Sequence, residues 1–202
     1  NDIQYPPWPS LPPAYYDASL FDHIARKDII VHAPYQSYDT ILRFFNEAAI
    51  GEDVTEVYTT LYRVASDSRI AQALISAARN GKKVSVLVEL KARFDEANNI
   101  RWAKRMKSAG VRIIYSNNAL KVHAKIALVK RNTGDRPLLG LLATGNFNES
   151  TARFYTDHIL LTAHQPMLEE MSTLFTFLSK RKKPDATDQL SFEHLLVAQF
   201  NL

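Results

Sequence analysis

Leu120-Lys121-Val122-His123-Ala124-Lys125-Ile126-Ala127-Leu128-Val129 is the stretch on which the fold turns. It is apolar and rich in β-branched residues, which predicts a strand over 120–130. Alternation along a strand sets Lys121, His123 and Lys125 on one face and Val122, Ala124 and Ile126 on the other. Two cations beside an imidazole disfavour the imidazolium. The ring stays neutral and nucleophilic, and the cations attract phosphate. An edge strand with one wet face is the plainer account of the same pattern.

Outward from that stretch, strand-like and helix-like segments alternate. Strands are expected over 29–32, 54–62, 83–90, 111–115, 138–144 and 157–162, and helices over 38–49, 68–78, 95–109 and 167–178. The 83–90 strand is nearly continuous in apolar residues, as a strand covered on both faces should be. Asn80-Gly81 and Gly110 stop two of the helices. Such alternation predicts an α/β sandwich with a mixed β-sheet flanked by helices.

Composition agrees. Of 202 residues, 46% are hydrophobic and 23% charged, enough for one core and incompatible with wholesale disorder. The longest apolar runs fall far short of the roughly 20 residues a membrane-spanning helix needs, so no transmembrane segment is expected. There is no cysteine, which removes disulfides, thiolate metal sites and thiol nucleophiles. This fits a reducing cytoplasm. The net charge of +4 tolerates an anionic partner without requiring one.

Five of the nine prolines lie between Pro6 and Pro13, so residues 1–19 are expected to form a linker or an arm laid over the domain. The run 180–183 followed by Pro184 marks a boundary, and residues 185–202 are expected to begin a further domain. With Asn1 rather than methionine first, the simplest expectation is a piece of a longer protein.

Arg63, at the end of the second strand, and Arg93, just beyond the third, stand where α/β sheets bind ligands, outside the carboxyl ends of strands. Arginine offers planar, bidentate donors to phosphate there. Surface ion pairing with Asp67, Asp95 or Glu96 is the bland alternative. Thr144-Gly145-Asn146-Phe147-Asn148-Glu149-Ser150 reads as a polar turn between a strand and a helix, with Asn146 and Asn148 able to orient a histidine or a phosphate. No Gly-rich nucleotide loop and no zinc-type ligand spacing is present.

Four segments in order resemble one family. Leu61-Tyr62-Arg63-Val64-Ala65, Val88-Glu89-Leu90-Lys91-Ala92-Arg93-Phe94-Asp95-Glu96, Lys121-Val122-His123-Ala124-Lys125 and Thr144-Gly145-Asn146-Phe147-Asn148, with 151–157 behind them, are similar to the first catalytic C-terminal domain of bacterial polyphosphate kinases. The resemblance implies a phospholipase D-like fold over residues 20–184. It implies reversible transfer of the ATP γ-phosphoryl group to polyphosphate through a phosphohistidine on His123. Arg63 and Arg93 would belong to a magnesium–phosphate site, Lys121 and Lys125 would bind phosphate, and Tyr155 would contact ATP. Mg²⁺ and ATP are the cofactor and substrate so implied, and inorganic polyphosphate and the enzyme's other domains the partners. A cytoplasmic homo-oligomer, compatible with peripheral membrane association, is implied for the full-length enzyme, with no dedicated nucleic-acid partner.

The sequence also departs from the family. His32-Ala33-Pro34-Tyr35-Gln36-Ser37-Tyr38 stands where His-His-Pro-Tyr-Glu-Ser-Phe is usual, and Tyr58-Thr59-Thr60 where Lys-Gln-Thr is usual. Lys130 replaces the aspartate that follows His-x-Lys in phospholipase D relatives, a change that suits a kinase. A phospholipase D-like phosphodiesterase or nuclease and a non-catalytic polyanion-binding module are the alternatives.

Overall fold

The structure is a computed structural model that describes residues 9–12, 18–89, 96–115, 122–132 and 134–179. Its strands are β1 (Ile29–Ala33), β2 (Val54–Leu61), β3 (Lys83–Val88), β4 (Arg112–Tyr115), β5 (Lys125–Arg131), β6 (Leu138–Ala143) and β7 (Asp157–Thr162). Its helices are α1 (Leu20–Arg26), α2 (Asp39–Ile50), α3 (Arg69–Arg79), α4 (Glu96–Ser108) and α5 (Gln165–Leu178). The strands form one mixed sheet in the order β1-β7-β6-β5-β2-β3-β4. The β2-β3-β4 half is parallel, and the other pairings are antiparallel.

The alternation of apolar residues on β5 divides the core. Ala127 and Val129 join α1–α4 and the facing residues Val57, Leu141 and Ile159 in one cluster. Ile126 and Leu128 point the other way, into a smaller cluster with Leu168, Met171, Leu174 and Phe175 of α5. Both faces of β5 are therefore covered, and its apolar run is the signature of burial on two sides. The wet edge-strand account of this segment is corrected here. β5 lies in the middle of the sheet, between β6 and β2.

The strand also starts later than expected. It begins at Lys125, while 122–124 carry no regular structure. Thr60 explains part of this. Its hydroxyl donates to the Ala124 carbonyl at 2.6 Å and accepts from Ile126 N–H at 3.1 Å, so a side chain replaces the main-chain ladder where β2 and β5 part.

Helix α1 has no counterpart in the sequence reading. Ser19 caps it by accepting from Asp22 N–H. The Glu47 carboxylate of α2 then takes the next orphan donors, Leu20 N–H at 2.8 Å and Phe21 N–H at 3.1 Å. That cap is tertiary, which is why seven residues suffice for a helix. Of the proline-rich arm, residues 9–12 are described. Leu11 pairs with the turn after β1, its N–H donating to Tyr35 O at 2.8 Å and its carbonyl accepting from Ser37 N–H at 2.9 Å. The boundary at 180–184 and the segment 185–202 lie outside the described residues.

Candidate active site

The strand directions bring the motifs to one rim. β1, β2, β3, β4 and β6 end there, while β5 and β7 begin there. His123 precedes β5, Arg63 follows β2, the 144–148 turn follows β6, and Tyr155 precedes β7. Arg93 and Lys121 lie outside the described residues, though β3, which precedes Arg93, ends at the same rim.

His123 is exposed, whereas Lys125 is only 7% exposed. The Lys125 ammonium lies 2.9 Å from both Nδ1 and Nε2 of His123. In the neutral ring one of these nitrogens is bare and can accept from the ammonium. The Tyr62 ring meets the imidazole edge-on, with centroids 5.5 Å apart, and lies 5.8 Å from Lys125 Nζ. Burial lowers the Lys125 ammonium to a pKa of about 8, and the Asp157 carboxylate works against that fall. The arrangement puts an imidazole nitrogen within hydrogen-bond reach of a cation, a geometry compatible with group transfer through nitrogen.

Arg63 is set by its backbone. Its carbonyl accepts from Asn148 Nδ2 at 3.2 Å. Its neighbours are pinned by α4. Asn99, fully buried, donates to Tyr62 O at 2.8 Å and Glu89 O at 3.1 Å and accepts from Val64 N–H at 3.3 Å. Trp102 Nε1–H donates to Ala65 O at 3.0 Å. One asparagine thus ties the ends of β2 and β3 together beneath the arginine, a role no local sequence signal reveals.

Asn148 orients backbone. Besides Arg63 O, it accepts from Ser150 N–H at 3.0 Å and Thr151 N–H at 3.1 Å. It thereby holds the start of a short 3-10 turn, Thr151–Arg153, at the place where the sequence reading put a helix. Asn146 lies on the same turn, its Oδ1 buried with no hydrogen-bond partner among the described residues. Glu149 reaches α3, where it accepts from Ile70 N–H at 2.8 Å. Tyr155 is 61% exposed beside Phe154, which is 82% exposed, so both rings face outward at the start of β7.

Two acidic features escaped the sequence reading. Asp157 accepts from Thr144 Oγ1 at 2.8 Å, and its carboxylate lies where a Cβ on Gly145 would stand. Glycine at 145 is thus required by a side chain twelve residues away. Tyr38 is held protonated first by burial and then by the carboxylates of Glu149 and Asp157. Lys130, by contrast, is far from the rim. It lies five residues along β5 from Lys125, roughly 17 Å at strand rise, and pairs with Glu56 at 3.8 Å.

Comparison with known proteins matches this geometry to one family. The family model "Polyphosphate kinase C-terminal domain 1" covers residues 19–184. The chain is 41% identical over 200 residues to a polyphosphate kinase of Salmonella typhimurium, covering 96% of this chain and 28% of that protein. It is 47% identical over 173 residues to one of Exiguobacterium sibiricum, covering 85% of this chain and 24% of that protein. The crystal structure of polyphosphate kinase from Porphyromonas gingivalis superposes with a TM-score of 0.74 at 49% identity, over 87% of this chain and 29% of that one. Nuc of Salmonella typhimurium, a phospholipase D family member, superposes at 0.60 with 14% identity, over 79% of this chain and 99% of Nuc, and so shares the fold. The chain therefore spans less than a third of the polyphosphate kinases it matches, and it belongs to the family of their first C-terminal domain, with a phospholipase D-like α/β fold.

Proposed function

We propose that this chain is the catalytic segment, over residues 20–184, of an enzyme that moves the terminal phosphoryl group of ATP reversibly onto inorganic polyphosphate. The observation that carries the reading is the His123–Lys125 contact at a rim that also gathers Arg63 and the 144–148 turn. The bare nitrogen of His123 attacks the γ-phosphorus. An N–P bond forms, the P–O bond to ADP breaks, and ADP leaves. A terminal polyphosphate oxygen then attacks the same phosphorus, the N–P bond breaks, and the neutral ring returns. Lys125 caps the bare nitrogen at rest. It moves from nitrogen to a phosphate oxygen as substrate arrives, because a phosphate is the stronger acceptor.

Phosphoryl transfer asks mainly for positioning and charge stabilisation. Arg63, Arg93, Lys121 and Lys125 supply donors, each charge-assisted bond contributing roughly 1.5–3 kcal/mol. Tyr155, exposed at the rim, faces the nucleotide. Among the described residues no group of three or more His, Asp or Glu side chains is arranged to hold a metal. Arginine has no lone pair to ligate one. Mg²⁺ carried on the nucleotide phosphates would neutralise part of their charge, with Arg63 and Arg93 holding phosphate oxygens beside it. In this reading residues 1–19 are a linker or an arm laid over the domain, 185–202 begin the next domain, and the enzyme's other domains complete the nucleotide site.

Incubation of the full-length protein with γ-³²P-ATP and Mg²⁺ tests this. The expected result is acid-labile, alkali-stable label that His123→Gln abolishes. Label that persists in that variant refutes the assignment.

A further inference from the structure

The cations of this chain are unevenly placed. Helix α4 holds Arg101, Lys104, Arg105 and Lys107 against the single carboxylate of Glu96, a net +3, where the whole 202-residue chain carries +4. All four are exposed. Arg101, Lys104 and Arg105 stand at i, i+3 and i+4, so they share one stripe, and Lys107 extends it from Lys104. The opposite face sends Asn99, Trp102, Ala103 and Met106 into the core. Other cations meet carboxylates: Arg43 with Glu47, Arg69 with Asp39, Lys83 and Lys130 with Glu56, and Arg131 with Asp53. Among the described residues, none of the four cations of α4 does. Two of the arginines are also held in place. Arg105 lies over the Trp102 ring, 4.3 Å from its centroid, and Arg101 donates to Asn98 Oδ1 at 2.6 Å. A guanidinium fixed in this way loses less freedom when it meets an anion.

The helix leads away from the rim. Asn99, in its first turn, binds the backbone of Tyr62, Val64 and Glu89 where β2 and β3 end. From that turn α4 runs toward the start of β4 at the other end of the sheet, a rise of roughly 20 Å over its 13 residues. The stripe therefore begins beside the rim and descends one flank of the domain. We propose that the outer face of α4 is a docking surface for inorganic polyphosphate, holding the part of a long chain that lies beyond its reacting end at the rim. The inference rests on the function proposed above and deepens it. A linear polyanion fits cations set at successive helical turns, and it gains from the counterions released by each charge it meets. A lipid surface fits this face less well. An interfacial helix sets an apolar face beside its cations, and here Ile100, 42% exposed, is the one large apolar side chain on the outer face.

The test uses the full-length protein, with long-chain polyphosphate and inorganic tripolyphosphate as the two probes. Binding of each is measured by calorimetry over a range of salt concentrations. The parent protein is compared with the triple variant Arg101→Gln, Lys104→Gln, Lys107→Gln and with Lys104→Glu alone. Arg105 is left in place, because its stacking on Trp102 also serves the core. In the triple variant long chains bind at least about tenfold more weakly at low salt, and the slope of log affinity against log salt falls by about 2 for three lost contacts. Tripolyphosphate, too short to reach from the rim along the stripe, binds as before. Lys104→Glu weakens long-chain binding in the same direction and keeps the test open should the triple variant fail to fold. Unchanged long-chain affinity and slope, or an equal loss for tripolyphosphate, overturns the proposal. So does a loss confined to phosphatidylserine vesicles, which would assign the face to a membrane. The phosphohistidine label is scored separately and stays at the parent level in both variants. Its absence from the parent protein refutes the proposed reaction, whereas a loss of binding that does not depend on chain length refutes the docking surface.

Discussion

Replacing Lys125 with methionine should make this protein more stable and at the same time inactive. The ammonium sits in the sheet beside Ala127 and Val129, and its burial lowers its pKa from 10.5 to about 8. That fall corresponds to about 3 kcal/mol of stability lost whenever the group is charged. Methionine keeps the aliphatic volume and removes the charge. It forfeits the bond to His123, worth about 1 kcal/mol, and leaves Asp157 to be solvated. The expected net gain at pH 7 is about 2 kcal/mol, or about 4–8 °C in Tm for a chain of this size. The sign follows from linkage. Between about pH 8 and 10.5 the unfolded chain holds more protons at Lys125 than the folded one, so the penalty on the parent protein fades as pH rises through that window. The gain is therefore full below pH 8 and gone by about pH 10.5. Urea unfolding of both proteins at pH 7, 8.5 and 10 measures it. A variant less stable at pH 7, or a difference that does not change with pH, refutes the reasoning.

Two further perturbations probe the scaffold. Asn99→Ala leaves Tyr62 O, Glu89 O and Val64 N–H without their buried partner. It should cost about 2–4 kcal/mol in urea unfolding and raise KM for the phosphoryl donor, because Arg63 loses its anchored neighbours; an unchanged KM would contradict that coupling. Tyr38→Phe removes a buried hydroxyl that forms no hydrogen bond of good geometry among the described residues, the Asn148 backbone acting on it only weakly. Stability should be unchanged or rise by up to about 1 kcal/mol, and a loss larger than that in chemical denaturation would show that the hydroxyl is satisfied.

The strands and helices were largely legible because their burial is written locally. The 83–90 and 120–130 stretches are apolar on alternate and successive positions, and Ser68 or Gly110 marks an end within one turn. Helix α1 was not legible, since Glu47, far along the chain, caps it. Nor was the late start of β5, which Thr60 imposes from a neighbouring strand. At the rim, His123, Lys125 and Arg63 were singled out by residue type and family resemblance, and strand direction brings them together there. Asp157 was not, because its signal is a glycine twelve residues earlier whose meaning depends on register. Asn99 reads locally as one more polar residue of an amphipathic helix.

Sequence alone determined the period of each element, the residue types on offer and the family. These are properties of a few adjacent residues, and short-range sterics and hydrophobic pattern fix them. Only the tertiary structure decided that five strands end and two begin at the same rim, that Lys125 is buried while His123 is exposed, and that a carboxylate from β7 fills the space beside Gly145. Those depend on strand order and pairing register. A shift of one residue would turn every side chain on the strand to the other face of the sheet, and the whole packed core, not any single segment, selects among such registers.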